Sequence, residues 1–279
     1  MSMTCGIPFY EVIYRKAIIK KKGQKIMAEE IFIKGQKFGV GRPVICVPVV
    51  EQTKADIIKA VEGLTTRGIK MLEWRMDWFS QVDDPEAVRE VLLALEPLVR
   101  DTVLLCTFRS RSQGGERELA EVDYMGLNRM VADSGVADIV DLEYLALEKP
   151  GISIVDLKAR GIFVILSHHD FEMTPVDARM QELLVEMWDA GADFAKLAVM
   201  PMDKYDVIRL LKAVMHVKES RPESHIIAMS MGNDGAVSRI LGQWYASEVT
   251  FASVGKTSAP GQIPYENLQR ILGELEEYI

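Results

Sequence analysis

Short apolar segments of β-strand type alternate with helical segments eight times between residues 44 and 278. This alternation predicts a parallel sheet with a helix after each strand, and eight units in a chain of this size favour a closed (β/α)8 barrel of the α/β class. The predicted strands are Val44–Val49, Ile69–Trp74, Thr102–Phe108, Ile139–Leu142, Ile162–Ser167, Phe194–Val199, Ile226–Ser230 and Val249–Ala252. The predicted helices are Lys54–Thr66, Pro85–Leu98, Glu116–Asp133, Ser153–Arg160, Pro175–Ala190, Asp203–Val217, Gly235–Leu241 and Tyr265–Tyr278.

An open, doubly wound sheet is the alternative arrangement of the same elements. It is disfavoured because no Gly-x-Gly-x-x-Gly motif follows the first strand and the chain has no P-loop. Seven of the eight predicted strands are short and mainly apolar, as expected for a sheet that is covered on both sides. The barrel is therefore the preferred interpretation.

The segment before the first barrel strand has a different character. Residues 31–40 predict a short hairpin. Residues 1–26, which include a basic run from Arg15 to Lys25, predict a poorly ordered extension, with Met27 as a possible natural start. Residues 27–279 are expected to form a single barrel domain, since no long linker or low-complexity segment divides them.

Charge and cysteine usage exclude several classes of protein. The 33 basic and 41 acidic residues give a net charge of −8, which argues against nucleic acid or an acidic membrane as a partner. No apolar run is long enough to span a bilayer. The three cysteines, Cys5, Cys46 and Cys106, are far apart and form no C-x-x-C motif, so they indicate neither zinc nor disulfides but a reducing, cytoplasmic compartment.

Polar side chains collect where the predicted strands end. In a barrel of this kind the active site lies at the carboxyl ends of the strands. Taken singly, such residues have ordinary explanations, for example an ion pair between Glu73 and Arg75 or a surface charge at Arg109. Together they indicate a catalytic rim. They are Glu73, Arg75 and Asp77; Arg109; Asp141 and Glu143; His168, His169 and Asp170; and Lys196.

Lys196 is the most informative of these residues. It lies in an otherwise apolar strand, where period-two alternation places it on one face with Phe194 and Ala198. A buried ammonium is costly, and a lysine held neutral can attack a carbonyl to form a Schiff base. The alternative is a lysine at a strand end whose amine extends into water.

Six motifs carry a resemblance to a known family. The sequence resembles the type I 3-dehydroquinate dehydratases across roughly residues 40–279. The resemblance implies a (β/α)8 barrel, usually a cytoplasmic homodimer without metal or organic cofactor. It also implies a lyase that converts 3-dehydroquinate to 3-dehydroshikimate in the shikimate pathway of aromatic amino acid biosynthesis. The motifs are Glu73–Asp77, Thr107–Ser110 with Gly114–Glu116, Ser167–Phe171, Lys196–Pro201, Ala228–Met231 and Ser258–Gln262.

The resemblance also implies roles for individual residues. Lys196 would form the Schiff base, and His169 would act as general acid and base on one face of the substrate, which implies syn elimination. His168 would point to the opposite face of the strand, and nearby cations would help to keep Lys196 neutral. The implied substrate-binding residues are Glu73, Arg75, Arg109, Arg239, Ser258 and Gln262, with Met229, Met231 and Phe251 lining the apolar part.

One residue departs from the family pattern. Where many members have a glutamate beside the catalytic histidine, this chain has Gln113, which leaves Glu116 or another carboxylate as an alternative partner of His169.

Two rival functions stay open. A Schiff-base aldolase would use residues 232–235 as a phosphate site, although Asp234 argues against an anion there. A barrel retained only for binding would not need Lys196 and His169. Biosynthetic and catabolic roles use the same chemistry.

Overall fold

The computed structural model describes residues 13–21, 24–39 and 41–278 of the chain. Near the amino terminus, β1 (Ile13–Lys21), β2 (Gln24–Ile33) and β3 (Gln36–Phe38) form an antiparallel sheet. The pairing of β2 with β3 confirms the predicted hairpin, except that residue 40 lies outside the described residues. Residues 1–12, 22 and 23 also lie outside them, so the poorly ordered extension and the domain boundary after residue 26 stay predictions.

Eight parallel strands with helices around them confirm the predicted barrel. The strands are β4 (Val44–Val49), β5 (Met71–Arg75), β6 (Val103–Thr107), β7 (Ile139–Glu143), β8 (Phe163–Asp170), β9 (Phe194–Val199), β10 (Ile226–Ser230) and β11 (Val249–Ser253), and β12 (Ile263–Pro264) extends the sheet beside β11. The helices are α1 (Lys54–Thr66), α2 (Pro85–Leu95), α3 (Glu121–Asp133), α4 (Pro150–Lys158), α5 (Asp177–Asp189), α6 (Lys204–Ser220), α7 (Gly232–Gly235), α8 (Gly242–Tyr245) and α9 (Tyr265–Leu275).

The sheet closes between its first and last barrel strands. β4 to β10 pair in chain order, and β11 pairs with β4. The seam between β10 and β11 is joined by the amide of Glu248, which donates to the carbonyl of Ile226 at 2.9 Å. Closure of this kind brings the carboxyl ends of all eight strands to one rim.

Alternation along each strand creates two cores. In β9, Ala195, Leu197 and Val199 face the surrounding helices, whereas Phe194 and Ala198 face the barrel interior. The helices present complementary apolar stripes to the outside of the sheet, and α1 begins where the Thr53 hydroxyl accepts a hydrogen bond from the amide of Asp56. The outer face of each strand therefore packs against the helices, whereas the inner face fills the barrel and supplies the side chains of the site.

The β2–β3 hairpin closes the amino-terminal end of the barrel. Ile31, Ile33 and Phe38 are buried in the inner core, and the Phe38 ring meets the Phe194 ring edge-on with centroids 5.4 Å apart. The Lys34 amine lies 2.8 Å from a carboxylate oxygen of Asp138. With this end filled, the barrel interior is accessible from the carboxyl ends of the strands.

Most predicted elements differ from the structure in their bounds, and three of these differences bear on the site. α3 begins at Glu121 rather than Glu116, because residues 110–117 form a compact loop in which the amide of Gly115 donates to the carbonyl of Ser110. The predicted helix over residues 235–241 is replaced by short helical segments around the 3-10 turn Ala236–Arg239. β8 continues to Asp170, so both adjacent histidines belong to the strand. None of the described helices combines the length and apolar character that a membrane span requires.

Candidate active site

A cavity opens at the carboxyl ends of the barrel strands. It gathers side chains from β5, β8, β9, β10 and β11 and from the segments that follow β6, β10 and β11. All ten residues predicted for the site line it, together with Met229, and their individual roles stay predictions. The lining includes Glu73, Arg75, Arg109, His169, Lys196, Met229, Met231, Arg239, Phe251, Ser258 and Gln262.

Lys196 lies at the centre of the cavity and is 3% exposed. Its amine is 2.8 Å from Asp141 Oδ2, 3.8 Å from Glu73 Oε1 and 4.6 Å from the centre of the Phe251 ring. Both nearby charged groups are carboxylates, so the expected role of cations in keeping this amine neutral does not match its contacts. Asp141 is placed to accept the proton that the amine must lose before it attacks a carbonyl.

Arg109 organises the carboxylates beneath Lys196. Its guanidinium donates to Asp141 at 2.8 Å and to Glu143 at 3.0 Å, and the Ser167 hydroxyl donates to Asp141 at 2.6 Å. Burial lowers the pKa of Arg109, but the two carboxylates outweigh burial and raise it above its usual range. Burial likewise raises the pKa of Asp141, yet Arg109 and Lys196 hold it below its ordinary value. Arg109 and Asp141 are therefore both charged at neutral pH.

Sequence reasoning placed Asp141 and Glu143 at the rim but assigned neither a role. The alternation Asp-Leu-Glu at the end of β7 was the available signal, because residues two apart share a strand face. Which basic residue each carboxylate meets depends on strand order. β7 lies between β6 and β8, so the Arg109 of one neighbour and the Ser167 of the other both reach Asp141.

The two adjacent histidines point in opposite directions, as the strand pleat requires. His169 lines the cavity, whereas His168 is half-buried outside it. Burial, then the positive charges of Arg109, Lys196 and Arg75, hold the pKa of His169 well below its ordinary value. The imidazole is therefore neutral at pH 7 and able to accept a proton.

Gln113, not a carboxylate, contacts His169. Its side-chain oxygen lies 2.9 Å from the His169 amide nitrogen and 3.2 Å from Nδ1 of the imidazole. Glu116 is exposed, and its amide donates to Asp77 on the other side of the loop. Among the described residues, no carboxylate forms a hydrogen bond or ion pair with His169, so the alternative partner Glu116 is ruled out.

Arg239 is a buried cation without an acidic partner in the described part of the chain. Its guanidinium, 2% exposed, donates to the carbonyls of Gly261 at 3.0 Å and Pro260 at 3.2 Å. Burial lowers its pKa to about 10, which still leaves it charged at neutral pH. Beside it, the amide of Gln262 donates to the hydroxyl of Ser258 at 2.9 Å. This side of the cavity is therefore suited to an anion.

Gly114 allows the loop that carries Gln113 to approach β8. It has a φ of +82°, and an added Cβ would lie 2.2 Å from Cζ of Phe171. Gly114→Ala is expected to displace Gln113 and to lower kcat by about 10- to 100-fold, because misplacement by about an ångström has effects of that size. Steady-state kinetics with 3-dehydroquinate, the substrate that the resemblance implies, would measure the change in kcat, and thermal unfolding would measure the change in stability.

Gly68→Ala is the matched control for this substitution. Gly68 has a similar φ of +78°, but an added Cβ would meet nothing within 4 Å. Both variants should lose about 1 kcal/mol of stability from backbone strain. Only Gly114→Ala should lose activity, and equal kcat values for the two variants would contradict the proposed contact between the loop and β8.

No group of three or more histidine, cysteine, aspartate or glutamate side chains within the described ranges is arranged to hold a metal ion. The polar groups of the cavity are engaged with one another instead, as in the bidentate pair of Arg75 with Asp77 at 2.8 Å. The cavity thus offers the chemistry of an amine, an imidazole and a guanidinium that has no acidic partner among the described residues.

Comparison with known proteins agrees with this chemistry. The sequence model of the type I 3-dehydroquinase family matches residues 45–279. A 3-dehydroquinate dehydratase of Klebsiella pneumoniae is 39% identical over 247 residues, which cover 88% of this chain and 98% of the relative.

Solved structures give the same result. A type I 3-dehydroquinate dehydratase of Clostridium difficile, determined with covalently modified comenic acid, superposes with a TM-score of 0.86 at 35% identity, covering 90% of this chain and 99% of that one. The 3-dehydroquinate dehydratase of Geobacillus kaustophilus also gives a TM-score of 0.86, at 31% identity, covering 89% of this chain and 97% of that one.

Proposed function

This chain belongs to the type I 3-dehydroquinase family, and we propose that it dehydrates 3-dehydroquinate to 3-dehydroshikimate through a Schiff base on Lys196. The observation that carries the mechanism is the convergence of three groups on one cavity: the buried amine of Lys196, the neutral imidazole of His169 and the unpaired guanidinium of Arg239. An amine, a base and an anion site are what dehydration of a β-hydroxy ketone that carries a carboxylate requires.

The first step joins the substrate to Lys196. The ammonium passes a proton to Asp141, 2.8 Å away, the free amine attacks the C3 carbonyl, and Asp141 returns that proton to the former carbonyl oxygen, so that Asp141 is ionised again after the step. Loss of the carbonyl oxygen as water gives a protonated imine. The imine draws electrons from C2 far more strongly than the ketone does, so the C2 proton becomes acidic enough to remove.

His169 then transfers a proton twice. The imidazole takes the C2 proton, the enamine expels the C1 hydroxyl, and the imidazolium returns a proton to that hydroxyl so that water leaves. One base acting at both positions implies syn elimination. Hydrolysis of the new imine then releases the product and restores the amine. The sum is loss of one water from the substrate, with no oxidant or reductant needed.

The remaining residues would orient the substrate. Arg239 would bind the carboxylate, since a guanidinium can offer parallel hydrogen bonds to both oxygens. The hydroxyl groups of the substrate would be bound, and the site ordered, by Glu73, Arg75 and Arg109. Ser258 and Gln262 would cover the substrate from the loop after β11, opposite the apolar side chains Met229, Met231 and Phe251.

Trapping with borohydride tests this proposal. Protein is mixed with 3-dehydroquinate, reduced with sodium borohydride and analysed by intact-mass spectrometry and peptide mapping. A substrate-derived adduct on Lys196 is the expected result. The covalent ligand in the C. difficile relative supports covalent chemistry in this family. Folded protein without an adduct, or with an adduct on a different lysine, would overturn the proposed mechanism.

His169→Ala is expected to lower kcat by about 10²- to 10⁴-fold, because loss of a general base typically has this effect. The variant should still form the trapped adduct, since Lys196 and Asp141 remain. His168→Ala is the matched control, because His168 lies on the outer face of the same strand and should retain most of the activity. Kinetics and adduct yield measured together would separate the two histidines. Equal losses of kcat in both variants would contradict the assigned base.

A further inference from the structure

Gln113 has an unusual position for a neutral side chain. It is 6% exposed, lies in the 3-10 turn Arg111–Gln113 after β6, and reaches across the cavity wall to β8. Its side-chain oxygen approaches two nitrogens of one residue, the backbone amide and Nδ1 of His169. The loop is held there by the close packing of Gly114 against Phe171.

The Gln113 side-chain oxygen determines which ring nitrogen of His169 carries the hydrogen. A backbone amide can only donate, so the Gln113 atom 2.9 Å from it is the carbonyl oxygen, not the NH₂ nitrogen. The same oxygen lies 3.2 Å from Nδ1, and an oxygen acceptor requires a hydrogen on that nitrogen. In neutral His169 the lone pair is then on Nε2. The turn after β6 thus selects the tautomer of a residue 56 positions away.

We propose that Gln113 is a positioning residue that holds His169 as the Nδ1–H tautomer without supplying a counter-charge, so that His169 is a weak base whose conjugate acid is a strong proton donor. The proposal rests on the function proposed above. A glutamate at this position would select the same tautomer and also stabilise the imidazolium by charge. Glutamine also selects the tautomer, but it does not stabilise the imidazolium by charge.

The charges around His169 reinforce this effect. The cations that face it are Arg75 from β5, Arg109 just after β6 and Lys196 from β9, with His168 adjacent on β8. The nearby carboxylates are engaged elsewhere: Glu73 accepts from Thr107, and Asp141 and Glu143 accept from Arg109. Beside the loop that follows β11, Arg239 adds a further cation to the cavity lining. An imidazolium at this position would therefore meet cations and a neutral amide.

The weaker basicity of His169 affects the rates of its two proton transfers in opposite directions. A weaker base takes the C2 proton more slowly, whereas a stronger conjugate acid gives its proton to the leaving hydroxyl more readily. The histidine also stays neutral, and the enzyme active, at a lower pH. Activity requires the neutral imidazole in the resting enzyme, so kcat/KM should fall only when the pH drops well below about 6.5, the ordinary value for histidine.

The test compares the wild type with Gln113→Glu and Gln113→Met by NMR titration of His169 in the resting enzyme. Imidazole ¹⁵N shifts report both the tautomer and the titration midpoint, and His169→Gln assigns the signal among the four histidines of the chain. Gln113→Glu should preserve the Nδ1–H tautomer and raise the midpoint by about 1 to 3 pH units, as expected for an opposite charge at this distance. Gln113→Met should lose the tautomer preference without raising the midpoint.

Kinetics supply the second readout. The acid limb of kcat/KM should move to higher pH in Gln113→Glu by the same amount as the NMR midpoint. In Gln113→Met, kcat should fall at every pH with no upward movement of the limb. An unchanged midpoint in folded Gln113→Glu, or an Nε2–H tautomer in the wild type, would overturn the proposal. Because the NMR titration needs no substrate, it is decided separately from the borohydride trapping that tests the function.

Discussion

Lys196→Ala is expected to lower kcat on the order of 10⁴-fold or more, because the substitution removes the nucleophile and with it the covalent route. It should also abolish the borohydride adduct. Product binding should persist, since Arg239 and the loop after β11 are untouched. Steady-state kinetics, intact-mass spectrometry and binding of product by calorimetry would measure the three effects.

Lys196→Arg separates the chemistry of this position from its charge. Lys196 also neutralises part of the buried charge of Asp141 and Glu73, so its removal alters the electrostatics as well. An arginine retains a cation there but forms no imine. Both variants should be equally inactive, whereas Lys196→Arg should unfold at a temperature closer to that of the wild type. Wild-type turnover in either variant would exclude the Schiff-base mechanism.

Arg109→Met is expected to destabilise the protein by about 3 to 5 kcal/mol, the range observed when one partner of a buried ion pair is removed. Arg109 is 3% exposed and bridges Asp141 and Glu143, which are almost fully buried. Methionine fills much of the volume but leaves both carboxylates without their main partner. Chemical denaturation at neutral pH would measure the loss.

The pH dependence of the free energy of unfolding identifies the cause of the stability lost in Arg109→Met. In the wild type, Arg109 and Lys196 help to hold the pKa of Asp141 below its ordinary value, so its stabilising contribution is present above about pH 4 and is lost as the pH falls through the folded value. Without Arg109, burial favours the protonated acid. The difference in stability between wild type and Arg109→Met should therefore shrink as the pH is lowered towards 4. A difference independent of pH would indicate a packing defect instead.

Arg270→Met is the matched control. Arg270 forms an exposed ion pair with Glu274 one turn away on α9, at 2.8 Å. Exposed pairs of this kind contribute little, so the change in stability should stay within about 0.5 kcal/mol. A loss comparable to that of Arg109→Met would show that any arginine-to-methionine change is harmful, and would remove the argument for a buried charge network.

Periodicity in the sequence was sufficient to predict the barrel. The bounds of β4, β9 and β10 and of α1 agree with prediction, because short apolar runs and the spacing of apolar residues in a helix are local signals. Boundaries were wrong where tertiary contacts override them. At the start of α3, for example, Glu116 has its amide bound to Asp77, 39 residues earlier, and no local pattern encodes such a contact.

In the candidate site, too, some features follow from local sequence and others from tertiary contacts. The sequence alone determined which side chains share a strand face with Lys196, because the two-residue repeat of a strand fixes the alternation of its faces. The choice of His169 over His168 came from the family resemblance. Only the tertiary structure decided the partners of Lys196 and His169. Lys196 meets Asp141 from 55 positions away, His169 meets an amide rather than a carboxylate, and Arg239 meets carbonyls. Those pairings depend on strand order, barrel closure and loop packing, which bring together groups that the sequence keeps far apart.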